Sequence, residues 1–162
     1  METVIITAAL VAMLALLITS VLVAKRPKKI SNFSYKTKVV MTPVERKLYY
    51  SIQETFKDEK VIVLAQVNMS SFLDHRGKGA RNYISQKSVD FLICDRSAFP
   101  IVAIELQDKT HNSEDRKKSD EVKAAVLKNA QIPLVLFDTR SMPTVAVVKR
   151  TIEPYIVSTR NK

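Results

Sequence analysis

The sequence predicts a mixed α/β domain carried behind one apolar helix. Three observations lead there. Val4 to Ala24 is a run of 21 residues without a charge. Further on, four short runs rich in β-branched residues read as strands. Before, between and after those strands, apolar residues recur at helical spacing. The order in the soluble part is α, β, β, β, α, β, α, the pattern of a mixed sheet flanked by helices.

At 162 residues the chain has room for one ordinary domain and a short appendage. One Cys excludes a disulfide framework, and two His leave no zinc finger or ribbon, so no zinc is expected. Apolar residues at 46% and charged residues at 26% are a globular composition. The net charge of +10 asks for a cause: nucleic acid, an anionic membrane surface, or solubility.

The apolar run is read as a transmembrane helix, because a helix of that length spans roughly 30 Å. A cleaved signal peptide is the rival. Its basic n-region and small-residue cleavage site are missing, since Met1-Glu2 precedes the run and Lys25-Arg26-Pro27-Lys28-Lys29 follows it. Those lysines, with Lys36 and Lys38, place the C-terminal side in the cytoplasm and the N-terminus outside by the positive-inside rule. Residues 25–38 are then a basic juxtamembrane linker that also touches anionic head groups. The remainder, residues 39–162, holds 20 basic and 15 acidic residues, or +5. That charge permits nucleic-acid binding without requiring it.

Thr42-Pro43-Val44-Glu45 opens the first helix of the domain at residues 39–160. Thr42 suits the N-cap, Pro43 the first turn, and Glu45 completes a capping box. Val44, Leu48, Ile52 and Phe56 form its core stripe. Val61 to Val67 is a strand, and Ser70 to Asp74 a short helix. Arg76-Gly77-Lys78-Gly79-Ala80-Arg81 is a basic loop that could follow a phosphate backbone. It lacks P-loop spacing, so no ATP is expected. Ser88 to Cys94 and Pro100 to Gln107 form an antiparallel hairpin turned at Arg96 to Phe99. A helix over Ser113 to Ala130 presents Val122, Ala125, Val126 and Asn129. Pro133 to Phe137 is a buried strand. Ser141 caps a last helix with Val145, Val148 and Ile152 inward, and Pro154 ends it.

The polar residues of the hairpin carry the chemistry. Alternation sets Asp90 against Val89, Phe91 and Ile93. It sets Glu105 and Gln107 against Val102, Ile104 and Leu106. A dry carboxylate is costly, and two on adjacent strands repel. A hard divalent cation relieves both costs, so Asp90 and Glu105 form a candidate magnesium or manganese pair. The alternative is that each acid sits at a strand end and pairs with a lysine or faces water.

The same residues resemble a known family. Asp90, a hairpin, and then Glu105-Leu106-Gln107-Asp108-Lys109-Thr110-His111 are similar to the core of restriction-endonuclease-like nucleases of the PD-(D/E)xK superfamily. The bacterial domain of unknown function 2726, related to very-short-patch-repair-type endonucleases, matches more fully. The Thr-Pro-x-Glu helix at Thr42 to Glu45, the strand end Gln66-Val67 and the strand Asp90-Phe91 all fit its pattern. The resemblance spans about residues 38–140. It implies a restriction-endonuclease-like αβββαβ core. It implies a metal on Asp90 and Glu105, and His111 as an acid/base or a phosphate contact. Lys109, Lys117, Lys118 and Lys123 would meet the nucleic-acid backbone together with Arg76, Lys78 and Arg81. Glu45 and Gln66 would be accessory residues. Each also has a plainer reading: Glu45 as the capping acid, His111 as a loop histidine, the lysines as a solvated face, and Gln66 as a strand-end hydrogen bonder. Gln107 stands where the superfamily usually has Lys and the nearer family Asp. Gln can orient a water but carries no charge.

Together these readings imply a membrane-anchored, metal-dependent nuclease of DNA or RNA on the cytoplasmic face of the inner membrane, with a homodimer conceivable. The alternative is a catalytically inactive module on the same fold that binds nucleic acid or a protein partner. A third is a membrane-surface protein whose function rests on the basic segment.

Overall fold

The computed structural model describes residues 1–24, 34–77, 79–107 and 114–160. The chain divides into two compact units, Met1–Lys38 and Val39–Lys162. The first contains α1 (Glu2–Ala24). That helix is long and apolar enough to cross a membrane. Three of its four hydroxyls bond within the helix: Thr7 donates to the Val4 carbonyl, Thr19 to Leu16 and Ser20 to Leu17. This is how a helix without polar neighbours accommodates Ser and Thr.

The second unit is a four-stranded mixed sheet between two layers of helices. α2 (Pro43–Thr55) begins with the full capping box on Thr42 and Glu45. It buries Leu48 and Ile52, with Phe56 just beyond its end, while Val44 stays exposed in the first turn. The strands are β1 (Ile62–Asn68), β2 (Ser88–Cys94), β3 (Pro100–Gln107) and β4 (Leu134–Asp138). They lie in the order β1-β2-β3-β4. The first three form an antiparallel meander, and β4 returns parallel to β3. A parallel return needs a crossover, which is α4 (Glu114–Asn129). The β2–β3 turn is held by Asp95, whose Oδ1 accepts from the amides of Ser97 and Phe99 at 2.8 and 2.9 Å.

α2 and α5 (Val145–Arg160) share one core layer, where Leu48, Ile52, Phe91, Ile93, Ile104 and Ile152 meet. The other layer joins Met69, Ile84, Leu92, Ala103 and Leu127 beneath α3 (Ala80–Ile84) and α4. The sheet is thus covered on both faces, as its near-continuous apolar central strands require.

Several local expectations are corrected. The basic glycine loop runs into α3, started by Gly79 at φ +85°. The expected helix at Ser70 to Asp74 is only one 3-10 turn, Met69–Ser71, started by Asn68, whose side chain accepts from the Ser70 amide, and ended at Phe72. The last helix is capped by Thr144 rather than Ser141, because Pro143 disfavours helical geometry at Met142. Pro154 does not end that helix. The proline is exposed, and Ile152 and Ile156 are buried on either side of it. Burying such side chains is worth roughly 1.5–3 kcal/mol each. That offsets a proline cost of about 3 kcal/mol.

On α4 the inward stripe is Ser119, Val122, Lys123, Val126 and Leu127, and only Leu127 is fully buried. Ala125 and Asn129, expected inward, are exposed. Val89 also leaves its expected face. It joins Leu92 and Cys94 in one layer, while Phe91 and Ile93 lie in the other. Strict alternation fails across Asp90, where the sheet is distorted.

Candidate functional site

The distortion follows one row across three strands. β1 and β2 pair regularly on both sides of Gln66, from Ala65 with Phe91 to Val67 with Val89. Gln66 itself has φ +52°, in the left-handed region. Such a conformation costs a non-glycine residue roughly 1–2 kcal/mol. It persists only where the surroundings hold it, and such strain is often found at functional sites. Opposite Gln66 stands Asp90. The β2–β3 ladder, read from its turn, extends only to Phe91 and Ile104. Beyond that pair Asp90 takes over a backbone role, its Oδ2 accepting from the Leu106 amide at 2.8 Å. Glu105 is the next residue of β3 after Ile104, so Gln66, Asp90 and Glu105 line up across the splayed end of the sheet.

Helices on both faces reach this row. From α2, Glu45 uses its two carboxylate oxygens differently. Oε2 accepts from the Thr42 amide to close the capping box, and Oε1 accepts from Gln66 Nε2 at 3.2 Å. The two readings of Glu45, capping acid and accessory site acid, are therefore both present in one side chain. From α4, Lys123 donates to Glu105 Oε1 at 2.7 Å, with both side chains only 13% exposed.

The electrostatics are those of a site with too little positive charge. Burial raises the Asp90 carboxyl above the ordinary range, and Glu45 raises it further. The Leu106 amide, Lys123 and Gln66 act against the rise. Burial also pushes Glu105 up to about 7, with repulsion from Asp90 next. Lys123 opposes this through its hydrogen bond and its charge, but does not outweigh it. Asp120, three residues before Lys123, adds a smaller push upward.

Among the described residues, no three His, Cys, Asp or Glu side chains converge to cage a metal ion. The donor set fits a hard divalent ion held by two carboxylates. Magnesium accepts one or two carboxylates and keeps several waters. Asp90 and Glu105 would hold it, at the cost of moving the Lys123 ammonium off Glu105.

The other candidate residues separate. Lys109 and His111 lie outside the described residues, as does Lys78. Gln107 ends β3, opposite Asp138 of β4, and its carbonyl accepts from the Thr139 amide at 3.0 Å. Lys117 and Lys118 are exposed on α4, away from the inward stripe that holds Lys123. Arg76 and Arg81 are exposed in the β1–β2 connection. Lys123, grouped in the sequence with the backbone-contacting lysines, pairs here with Glu105, the lysine pairing named as the alternative for the acids. The signal for it was available: Ser119, Lys123 and Leu127 are spaced four apart on one helix face.

Comparison with known proteins agrees with the extent of this domain. A protein of Haemophilus influenzae (strain ATCC 51907 / DSM 11121 / KW20 / Rd), described as an uncharacterized protein, is 30% identical over 105 residues. The aligned part is 64% of this chain and 55% of the relative, so the chain spans about half the length of the curated relative it matches. No solved structure matches the chain. The model of the family described as "Protein of unknown function (DUF2726)" matches residues 37–155, most of the chain, and the chain belongs to that family.

Proposed function

We propose that the protein is a membrane-anchored, metal-dependent nuclease that hydrolyses phosphodiester bonds of DNA or RNA. One observation carries the reading: Asp90 and Glu105 converge at the splayed sheet end, both short of positive charge, with Gln66 and Lys123 beside them. Two acids on neighbouring strands with a lysine beside them support a PD-(D/E)xK-type, restriction-endonuclease-like reading of the site. α1 is the single-pass anchor. The basic residues after it hold the catalytic domain on the cytoplasmic side.

Asp90 and Glu105 would hold magnesium or manganese, which when bound lowers the pKa of a coordinated water and stabilises charge on phosphoryl oxygens. The protein's own residues do the positioning. The Leu106 amide fixes one oxygen of Asp90, and Gln66 favours its charged form from the side. Glu45 orients Gln66, so the α2 cap and the site share one hydrogen-bond chain. Lys123 supplies the ammonium that Gln107 cannot. With a cation on the two carboxylates, the Lys123 ammonium would be available to a phosphate oxygen.

The test is to incubate the full chain in detergent with labelled single- and double-stranded DNA and RNA, with magnesium or manganese. Asp90→Ala and Glu105→Ala are assayed beside it. Cleavage by the parent that disappears in both variants is the expected result. A folded protein that neither cleaves nor binds metal would overturn the reading. Gln107 favours the second reading in that case, an inactive module of the same fold.

A further inference from the structure

We infer that the substrate is single-stranded nucleic acid, gripped by the β1–β2 connection, with Arg76 and Arg81 on its phosphates and the ring of Tyr83 stacked on a base. The inference rests on the nuclease reading and adds the substrate class to it.

The connection springs from the site. β1 ends at Asn68, two residues after Gln66, and β2 starts at Ser88, two residues before Asp90. The two ends of this connection therefore flank the acidic row. It is also anchored. Ile84 of α3 is buried in the same core layer as Leu127. Asn68 Nδ2 donates to the Ser85 carbonyl at 3.1 Å. Lys87 Nζ donates to Ser119 Oγ at 2.8 Å, one helical turn before Lys123. α3 is thereby held against both the end of β1 and the helix that supplies the site ammonium.

On this anchored base, Tyr83 stands out. It is 57% exposed. Among the described residues it has no hydrogen bond, ion pair or ring contact, whereas Tyr49 stacks on Phe91 with centroids 6.0 Å apart. Arg81 and Tyr83 both lie on α3 and, two residues apart, leave it on different sides, while Arg76 precedes them in the same connection. Across Met69 to Lys87, Asp74 is the one acid. α4 differs, since Glu114, Asp115, Asp120 and Glu121 are mixed among its lysines. The positive charge at this end of the sheet is therefore concentrated where the free aromatic ring is.

An exposed ring on a basic connection is a combination that binds unpaired strands. Every base has a π face for the ring, and the arginines follow the backbone. A duplex hides its base faces in the stack, so the ring has no base to stack on there.

The experiment measures binding without cleavage. The full chain in zwitterionic detergent with a chelator is titrated into labelled single-stranded DNA, single-stranded RNA and duplex DNA. Tyr83→Ala, Tyr83→Phe and Arg81→Ala are compared with the parent. Tyr83→Ala should weaken single-strand binding roughly ten- to a hundred-fold. Tyr83→Phe should retain it, because the ring remains. Arg81→Ala should reduce the salt dependence of single-strand binding by about 0.7 in the log–log slope. Equal single-strand affinity for Tyr83→Ala and the parent, no single-strand binding by the parent, or preference for duplex would each overturn the inference. Cleavage is scored separately with magnesium. Binding that follows Tyr83 without cleavage supports this surface and sinks the nuclease reading. Cleavage with binding indifferent to Tyr83 does the reverse.

Discussion

Glu105 should make the metal-free protein lose stability as the pH rises. Its carboxyl stands at about 7 in the folded chain, against an ordinary 4.5. A raised carboxyl binds its proton more tightly in the fold than in the unfolded chain, so stability falls with pH wherever only the fold is protonated. Below about pH 4.5 both states hold the proton and nothing is lost. Above about pH 7 the fold must carry the buried charge beside Asp90. A rise from 4.5 to about 7 corresponds to a loss of about 3 kcal/mol across that window. Against a typical stability of roughly 5–15 kcal/mol this is readily seen. The assay is urea unfolding of the full chain in detergent, free of metal, at pH 5 to 8, followed by circular dichroism. Glu105→Gln should remove most of the decline, leaving the smaller part that belongs to Asp90, which is raised in the same direction. It should therefore exceed the parent in stability at pH 8. Magnesium at a hundred times its dissociation constant should restore about 2.7 kcal/mol to the parent at that pH. A parent whose stability is flat or rises from pH 5 to 8 would refute the reasoning. So would a Glu105→Gln variant with the parent's slope.

Three further outcomes follow from the same geometry. Lys123→Met should remove cleavage and, in the metal-free chain, move the stability loss to higher pH, because Glu105 loses the cation that opposes its rise; an unchanged pH profile would count against the ion pair. Leu127→Ala should cost roughly 2–5 kcal/mol in the same unfolding assay, since that side chain is fully buried in the core layer beneath α4. A phosphatase that works only outside the cytoplasm, fused after Lys162, should be inactive, and an active fusion would reverse the orientation proposed for α1.

What the sequence made legible was local. The capping box at Thr42 and Glu45 needs only four consecutive residues, and it forms as expected. Four strands and their hairpin turn were visible because β-branched runs and an intervening short polar stretch are enough to specify them. The less legible features depend on neighbours distant in sequence. Alternation predicts one face for Val89, Phe91 and Ile93, yet Val89 changes layers because β1 is distorted opposite Asp90. Pro154 reads as a helix end until Ile156 is seen to be buried beyond it. α3 has only five residues and is short for independent helical stability, so it depends on Ile84 packing beside Leu127.

The inward face of α4 joins these points to function. A purely structural helix would bury an apolar stripe from end to end, and that pattern adds Ala125 and Asn129 to Val122 and Val126. The real stripe begins with Ser119, passes through Lys123 and becomes apolar only at Val126 and Leu127. Its first half faces the β1–β2 connection and the acidic row, where Ser119 meets Lys87 and Lys123 meets Glu105. The pattern fails as a core signal because half the face meets Lys87 and Glu105 instead of apolar neighbours. On the proposed nuclease reading, the same arrangement accounts for Gln107. A motif read along β3 looks for its ammonium two residues after Glu105 and finds an amide. The fold brings an ammonium to Glu105 from 18 residues further along, on a different element. A carboxylate responds to the position of a charge in space, not to its position in the chain. Gln107 therefore leaves the local electrostatics of the acid pair intact, provided α4 stays packed. Packing of Leu127 holds the helix that holds Lys123, which makes the core beneath α4 part of the site's construction.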